Sequence, residues 1–226
     1  MRDVLKRVVD VIISAVALMT LFPFLLLLAL SIRLDTPGRV FFLQRRIGRD
    51  LREFRVVKFR TMVERDPDSI DQHAEQVVSK GHDPRITRLG RILRKTSLDE
   101  LPQLWNIIVG DMSLVGPRPV LPEQVEVVPS EYMTRFDVRP GLTGLAQVRG
   151  RRSLGWLEQI HADSEYATQH SFWLDLKIIL RTFVVIFNAS EVYGDASKNW
   201  RSYQQNLRTD QSADVKAPSG DQHKET

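Results

Sequence analysis

The sequence contains no cysteine, and its five histidines are scattered. Disulfide bonds and thiolate metal sites are therefore excluded. The histidines show no spacing that indicates a zinc site. They are His73, His82, His161, His170 and His223. The chain also lacks internal repeats and a platform of alternating aromatic and basic residues. Nucleic-acid binding is thus disfavoured, and we expect no nucleic-acid partner.

Length and charge set broad limits on the kind of protein. A chain of 226 residues is long enough for one compact domain. Its formal net charge of +4 at pH 7 favours anionic partners such as phosphates or membrane surfaces. The mean hydropathy of -0.22 is that of a soluble protein. This average hides an uneven distribution, because the apolar residues are concentrated near the N-terminus.

One long uncharged run extends from Val11 to Ile32. It exceeds the ~18 apolar residues that mark a transmembrane helix. A cleaved signal peptide is the alternative, because basic residues precede the run. However, the run is longer than the ~7–15 apolar residues of a signal-peptide core. We therefore expect a retained membrane anchor over residues 1–35.

Pro23 lies in the middle of this run and removes one helical hydrogen bond. Basic residues flank the run on both sides, and the positive-inside tendency places both flanks in the cytoplasm. These residues are Arg2, Lys6, Arg7, Arg33, Arg39, Arg45 and Arg46. We predict a re-entrant membrane helix hairpin with its break at Pro23. A single tilted span is the alternative, since prolines are tolerated in membrane helices.

The remainder predicts an α+β, mainly helical fold. A small β-hairpin is expected from Val40–Leu43, through a turn near Gly48, to Phe54–Phe59. Helices are expected at 87–96, 156–166 and 172–187, with shaped loops at 110–122 and 140–155. A compact helical domain thus covers residues 36–208. The polar tail, residues 209–226, is expected to be disordered.

The last of these helices carries an apolar stripe. Its members are Trp173, Leu176, Ile179, Leu180, Phe183, Val184 and Phe187. Such a stripe is typical both of a helix lying on a membrane and of a helix packed into a core. Both interpretations stay open at this point.

The most informative stretch contains two adjacent acids, Asp99 and Glu100. Ser97 and Glu100 have the spacing of a capping box, in which both acids would only complement a helix N-terminus. Pro102 conflicts with this arrangement, because it would fall inside the helix and prefers the first helical position. A helix that begins at Pro102 leaves both acids on its approach, where they are candidates for catalysis.

Several cations lie in segments suited to phosphate oxygens. Lys58 and Arg60 occupy the end of a predicted strand, and Arg118 lies between two prolines that restrain the backbone. Arg149 and Arg151 belong to a glycine-bearing loop. A solvated basic surface or a lipid-headgroup anchor is the alternative for each of them.

These motifs, in this order, resemble those of the bacterial sugar transferases, also called small monotopic polyprenyl-phosphate phosphoglycosyltransferases. The stretches are KFRTM at 58–62, DPRITRLGRILRKTSLDELPQLWN at 83–106, GDMSLVGPRP at 110–119, RPGLTGLAQVRGR at 139–151 and LDLKI at 174–178. The resemblance covers roughly residues 1–200. Its motifs are long and specific to this family.

The resemblance implies an enzyme at the cytoplasmic face of the bacterial inner membrane. It would move a phospho-sugar from a UDP-sugar to polyprenyl (undecaprenyl) phosphate and release UMP, in the first membrane step of surface glycan synthesis such as exopolysaccharide. Asp99 matches the family's nucleophile, which forms a covalent phospho-sugar intermediate, and Glu100 matches the second acid. Mg²⁺ is the implied cofactor, with Asp99 as its protein ligand.

The resemblance also places Lys58 and Arg118 near the phosphates. Further candidates for phosphate binding are Arg60, Arg85, Arg149 and Arg151. The chain departs from the family where Val148–Arg149 replaces a frequent Val-Asn, which puts the sugar specificity in doubt. Phe22 stands where some relatives have a serine before the membrane proline.

Two other functions compete with the enzyme. A non-catalytic membrane scaffold for glycan assembly accounts for the anchor but not for the Asp99–Glu100 pair. Nucleic-acid binding accounts for the basic loops but not for the anchor, and ranks last. The sequence identifies neither the sugar, nor the glycan pathway, nor the oligomeric state; a homo-oligomer stays open.

Overall fold

A computed structural model describes residues 2–75, 83–150, 153–187 and 196–216. The helices are α1 (Arg2–Asp35), α2 (Arg88–Thr96), α3 (Leu104–Val109), α4 (Pro122–Val125), α5 (Leu145–Arg149), α6 (Trp156–Gln169), α7 (Phe172–Phe187) and α8 (Trp200–Lys216). The strands are β1 (Phe41–Ile47), β2 (Glu53–Phe59), β3 (Ser113–Val115) and β4 (Gly141–Thr143). The prediction of a mainly helical fold with a small β-hairpin is confirmed.

The apolar N-terminal segment forms one helix, α1, of 34 residues. Among the described residues, α1 is the helix that is long and apolar enough to cross a membrane. The predicted helix hairpin is not confirmed, since α1 continues through Pro23 without a break. A proline removes one hydrogen bond from a helix. The hydrogen bonds on both sides of Pro23 are enough to continue a helix of this length.

One face of α1 packs against the rest of the protein along its whole length. The buried residues on this face are Asp10, Ser14, Leu25 and Ile32. The opposite face is apolar and uncovered; Ile12, Met19 and Leu30 are 57%, 70% and 56% exposed. Exposed side chains of this kind mark a surface that meets lipid or another apolar partner.

The predicted β-hairpin is confirmed. Strands β1 and β2 pair antiparallel from Phe41 opposite Phe59 to Ile47 opposite Glu53, around a 3-10 turn at Arg49–Leu51. The buried side chain of Asn106 in α3 hydrogen-bonds to the backbone of β2, as a neighbouring strand would. It accepts a hydrogen bond from the Val57 N–H (2.9 Å) and donates to the Arg55 carbonyl (2.8 Å). These bonds fix α3 against β2.

The two segments predicted as loops contain a short parallel strand pair. Ser113 of β3 lies opposite Gly141 of β4, and Val115 lies opposite Thr143. A Cβ atom at Gly141 would lie 2.1 Å from the Gly116 nitrogen, so this close approach of two backbones requires glycine. Three-residue strands are too short for an alternating pattern, which is why the sequence indicates only loops here.

The predicted helices α6 and α7 are confirmed and share a core. Tyr166 and Ile178 are each 1% exposed and pack with Val115 and Leu145. The predicted apolar stripe of α7 lies mostly outside this core. Trp173 is 75% exposed and Phe183 is 58% exposed. The structure therefore favours the membrane-surface interpretation of the stripe over the core interpretation.

The C-terminal helix α8 extends beyond the point at which the sequence predicts disorder. Residues 209–216 continue α8, and the predicted boundary at residue 208 stays a prediction. The helix starts at the buried Trp200, and no glycine or proline interrupts it. A packed first turn supplies the nucleus of the helix, whose formation is the unfavourable step of helix growth. Residues 217–226 lie outside the described part of the chain.

The predicted helix at 87–96 is confirmed as α2, and its first turn lies against the end of the hairpin. The Thr87 side chain caps α2 by accepting from the Gly90 N–H. A Cβ atom at Gly90 would lie 2.1 Å from the Thr61 carbonyl oxygen. The contact involves backbone, so it cannot be relieved by a side-chain rotation.

We therefore expect Gly90→Ala to lower the free energy of unfolding by about 1–3 kcal/mol through overpacking. Gly155→Ala is the matched control, because its new Cβ would meet only Glu158 Oε2 at 3.5 Å. Thermal unfolding of the two purified variants measures the difference. Equal stability of both variants would contradict the close approach of α2 to residue 61.

Candidate active site

The acid pair lies in a 3-10 turn at Leu98–Gln103, directly before α3. The capping box is not formed: Ser97 adopts a left-handed backbone with φ 59°, and its side chain makes no cap bond. Pro102 lies inside the turn rather than at the first position of α3. Both acids thus lie on the approach to the helix.

Glu100 is held by two cations from separate parts of the fold. Its Oε1 accepts hydrogen bonds from Lys58 Nζ at 3.1 Å and from Arg118 Nη2 at 2.9 Å. Lys58 is fixed near the end of β2, to which Asn106 ties α3. Arg118 is fixed through its carbonyl, which accepts from Arg135 Nη2 at 2.8 Å. Two predicted phosphate-binding residues therefore meet at the predicted catalytic acid.

The two acids differ in their electrostatic surroundings. Burial by itself would raise the pKa of Glu100, but Arg118 and Lys58 outweigh it and hold that pKa well below its usual value. For Asp99 the balance is reversed: burial, and after it the charge of Glu100, raise the pKa to about 6. Asp99 makes no ion pair with any of the residues that the structure describes.

The acid pair opens onto a cavity of about 1030 Å³, which is large enough for a nucleotide sugar. Its cationic floor includes Lys58, Arg94 and Arg118. Part of its lining is polar and comes from the segment 66–75, which forms a polar wall. Another part is apolar and includes Ile13 of α1 and Ile179, Phe183 and Ile186 of α7. The site thus joins a polar space to the uncovered apolar surface.

The other predicted phosphate-binding arginines have partners of their own. Arg60 is buried and donates to the Thr36 and Pro37 carbonyls at the C-terminal end of α1, at 2.7 and 2.6 Å. Arg85 pairs with Asp83 and Glu75, and Arg149 pairs with Glu165. Arg151 lies outside the described residues. The structure therefore brings together Lys58 and Arg118 but engages Arg60, Arg85 and Arg149 elsewhere.

Among the cavity cations that sequence reasoning missed, two interact with the acid pair. Arg94 of α2 lines the cavity near Asp99. Its charge acts to lower the pKa of Asp99, but burial and the charge of Glu100 outweigh it. Arg46 of β1 also lines the cavity and donates to the Pro119 carbonyl; burial, and after it the Arg118 charge, lower the pKa of Arg46 to about 10. The alternation of side chains along a strand places Arg46 on the same face of β1 as Phe42 and Gln44. All three are half-buried, so this alternation could have predicted that Arg46 points inward.

Within the acid pair, Asp99 is the residue whose carboxylate is available to the expected Mg²⁺. Among the described residues, no three acids or histidines gather in one metal-binding cluster. Mg²⁺ is commonly held by only one or two carboxylates together with substrate phosphates and water. The unpaired carboxylate of Asp99 fits this kind of site, whereas the Glu100 carboxylate is already engaged by Lys58 and Arg118.

A buried acid beside fixed cations, at the floor of a cavity next to an apolar helix, is typical of an enzyme that handles phosphorylated substrates. Comparison with known proteins agrees. A family model described as "Bacterial sugar transferase" matches residues 1–189. The chain belongs to the bacterial sugar transferase family, and it is an enzyme of the transferase class.

Individual relatives give the same picture. The UDP-glucose:undecaprenyl-phosphate glucose-1-phosphate transferase of Caulobacter vibrioides is 43% identical over 199 residues, which cover 84% of this chain and 73% of that protein. The exopolysaccharide production protein ExoY of Rhizobium meliloti is 38% identical over 191 residues, covering 80% of this chain and 84% of that protein.

A third relative names a different sugar. The UDP-N-acetylgalactosamine-undecaprenyl-phosphate N-acetylgalactosaminephosphotransferase of Aeromonas hydrophila is 39% identical over 188 residues, which cover 80% of this chain but only 43% of that protein. Some relatives are thus more than twice as long as the stretch that they share with this chain. Others share most of their length with it.

The unequal surroundings of the two acids predict opposite effects on stability. Asp99→Asn removes a buried charge that lacks a cationic partner, so its free energy of unfolding at pH 7 should equal or exceed that of the wild type. Because folding raises the Asp99 pKa from 3.8 to about 6, this advantage should vanish below pH 3.8, where the wild-type residue is protonated in both states.

Glu100→Gln is the matched change and should destabilise the protein by about 1–3 kcal/mol, because Lys58 and Arg118 lose their shared counter-charge. Chemical denaturation of both variants at pH 7 measures the contrast. An Asp99→Asn protein that is less stable than Glu100→Gln would contradict this assignment of the charges.

Proposed function

We propose that this enzyme transfers a phospho-sugar from a UDP-sugar to polyprenyl phosphate through a covalent intermediate on Asp99. The observation that carries the proposal is the contrast within the acid pair. Asp99 is desolvated and unpaired among the described residues, whereas Glu100 next to it binds Lys58 and Arg118. A carboxylate without a competing cation is free to form a bond to phosphorus.

The transfer takes place in two displacements. In the first, a carboxylate oxygen of Asp99 attacks the sugar-linked phosphorus; the bond to the bridging oxygen breaks, and UMP leaves with that oxygen and its electron pair. In the second, a phosphate oxygen of the polyprenyl phosphate attacks the same phosphorus. The bond to Asp99 then breaks, which regenerates the carboxylate and yields the diphosphate-linked lipid sugar.

Glu100 serves this chemistry mainly by orienting cations. The ion pairs that keep its pKa low make it a weak proton acceptor in the resting enzyme. The same contacts hold Lys58 and Arg118 beside Asp99, where they can offset the negative charge of the two substrates. When bound, Mg²⁺ would supply further charge neutralisation across the donor phosphates, with Asp99 as its protein ligand.

The names of the relatives support this pair of substrates. Those from Caulobacter vibrioides and Aeromonas hydrophila both name undecaprenyl phosphate as the acceptor and a UDP-sugar as the donor. They differ in the sugar, so the proposal does not name one. The ExoY relative suggests exopolysaccharide synthesis as one pathway of this kind.

We also propose that both ends of α1 lie on the cytoplasmic side of the inner membrane. At the N-terminal end, Arg7 donates to the Ile107 and Ile108 carbonyls of α3, at 2.6 and 3.0 Å. At the C-terminal end, Ile32 packs against Phe59 of β2. A helix held to one domain at both ends has no end free to lie across the bilayer. The uncovered apolar face of α1 would then rest in the lipid.

The reaction itself can be tested with radiolabelled UDP-sugars and membranes that contain the protein. We expect label in the lipid fraction only when Mg²⁺ and polyprenyl phosphate are both present. Without acceptor, label should remain on the denatured wild-type protein. Asp99→Asn should abolish both signals, a loss of roughly a thousandfold or more. Asp137→Asn, at an exposed surface acid, is the control and should behave as the wild type.

Transfer by Asp99→Asn at the wild-type rate would remove Asp99 from the nucleophile role. Failure of the wild type to release UMP from any of a panel of UDP-sugars would favour the non-catalytic scaffold instead.

The topology can be tested with single cysteines, since the chain has none of its own. Asp3→Cys lies in the first turn of α1 and Arg39→Cys lies just after its end. The native side chains at these positions are 73% and 83% exposed. Both should resist a membrane-impermeant thiol reagent in intact spheroplasts and react in inverted vesicles. Labelling of Asp3→Cys alone in spheroplasts would show that α1 spans the bilayer.

A further inference from the structure

Helix α8 lies beyond the part of the chain that the family model matches, which ends at residue 189. It is nevertheless built into the catalytic domain. Trp200 is 5% exposed and packs in a core cluster with Val120, Phe136 and Trp156. Asn199 caps the helix by accepting from the Arg201 and Ser202 N–H groups. The first turn of α8 is therefore fixed in place.

This first turn contacts the segment 66–75. Arg201 Nε donates to the Gln72 carbonyl at 2.6 Å. The Trp200 and His73 rings meet edge to face, with their centroids 5.3 Å apart. Arg201 also lies over the Trp200 ring at 4.9 Å, which limits the positions that its guanidinium can adopt. Arg201 and Trp200 of α8 thus contact Gln72 and His73 of the segment.

The segment 66–75 forms the polar wall of the catalytic cavity. Its lining residues are Asp66, Asp68, Ile70, Gln72 and Glu75. Its regular structure is limited to a 3-10 turn at Pro67–Ser69 and a turn around Gln72–Ala74. The hydrogen bonds within the segment join residues no more than four apart, so they shape its turns but do not hold it against the rest of the domain. Other elements hold it through ion pairs of Arg55 with Asp68 and of Arg85 with Glu75. Between these two points, Arg201 supplies a contact to the backbone itself.

We propose that Arg201 is a positioning residue for the transfer reaction. By holding the Gln72 carbonyl, it keeps the polar wall in the place where that wall borders the substrate. Helix α8 is then part of the substrate-binding apparatus although it lies outside the family match. The expected effect on catalysis rests on the proposed function. The positioning of the segment 66–75 by Arg201 rests on the observed contacts alone.

The test compares three variants of the full chain in membranes. Arg201→Ala should accelerate amide exchange of residues 66–75 and raise the KM for the UDP-sugar, each roughly tenfold, as expected for loss of one hydrogen bond from a charged donor. The kcat should change less than twofold. Arg201→Lys should restore most of both values, because lysine keeps a charged donor. Arg208→Ala, at an exposed arginine further along α8, should match the wild type.

The outcomes separate this inference from the proposed function. Wild-type exchange at 66–75 in Arg201→Ala would overturn the inference, and so would faster exchange with an unchanged KM. Faster exchange spread evenly over α6 and the core would show a general stabilising role and would overturn it as well. If the wild type used no UDP-sugar, the proposed function would fail, and the exchange measurement would still decide whether Arg201 holds the wall.

Discussion

The site depends on keeping two adjacent carboxylates in a partly buried turn. Two like charges at 4 Å repel by about 4 kcal/mol at an effective dielectric of 20, so the pair needs positive charge nearby. The fold supplies that charge unequally: Lys58 and Arg118 bind Glu100, whereas Asp99 forms no ion pair among the described residues and receives the charges of Lys58, Arg94 and Arg118 from a greater distance. One acid is thereby fixed as an anion, and the other is left available for chemistry.

Much of the surrounding structure maintains this inequality. The hairpin presents Lys58, and Asn106 ties the hairpin to the helix that follows the acids. On the other side, Arg135 binds the buried Asp163 at 2.7 Å and donates to the Arg118 carbonyl. A buried ion pair is a poor source of stability but a good means of fixing direction. Here it fixes the backbone from which Arg118 extends toward Glu100.

Patterns with a long period or a dense motif could be predicted from the sequence. The hairpin, α2, α6 and α7 follow from such patterns. The motifs also mark Lys58 and Arg118 as candidate site residues, but they do not predict the ion pairs of both with Glu100. The parallel pair at Ser113 and Gly141 could not, because three residues are too few to alternate. The partners of Arg60, Arg85 and Arg149 could not either, since a guanidinium that binds a carboxylate or a helix end carries the same local signal as one that binds phosphate.

The contacts of α1 have a mechanical consequence. Arg60, directly after β2, donates to the Thr36 carbonyl just after α1. Arg7 of α1 donates to two carbonyls of α3. Both contacts are close in the chain to the acid site. Arg60 is two residues beyond Lys58, which binds Glu100, and the carbonyls that Arg7 binds belong to α3, which directly follows the turn with the acids. Any bending or sliding of α1 would thus reach Asp99 through only a few contacts. Lipid composition and the choice of detergent become variables of the chemistry as well as of solubility.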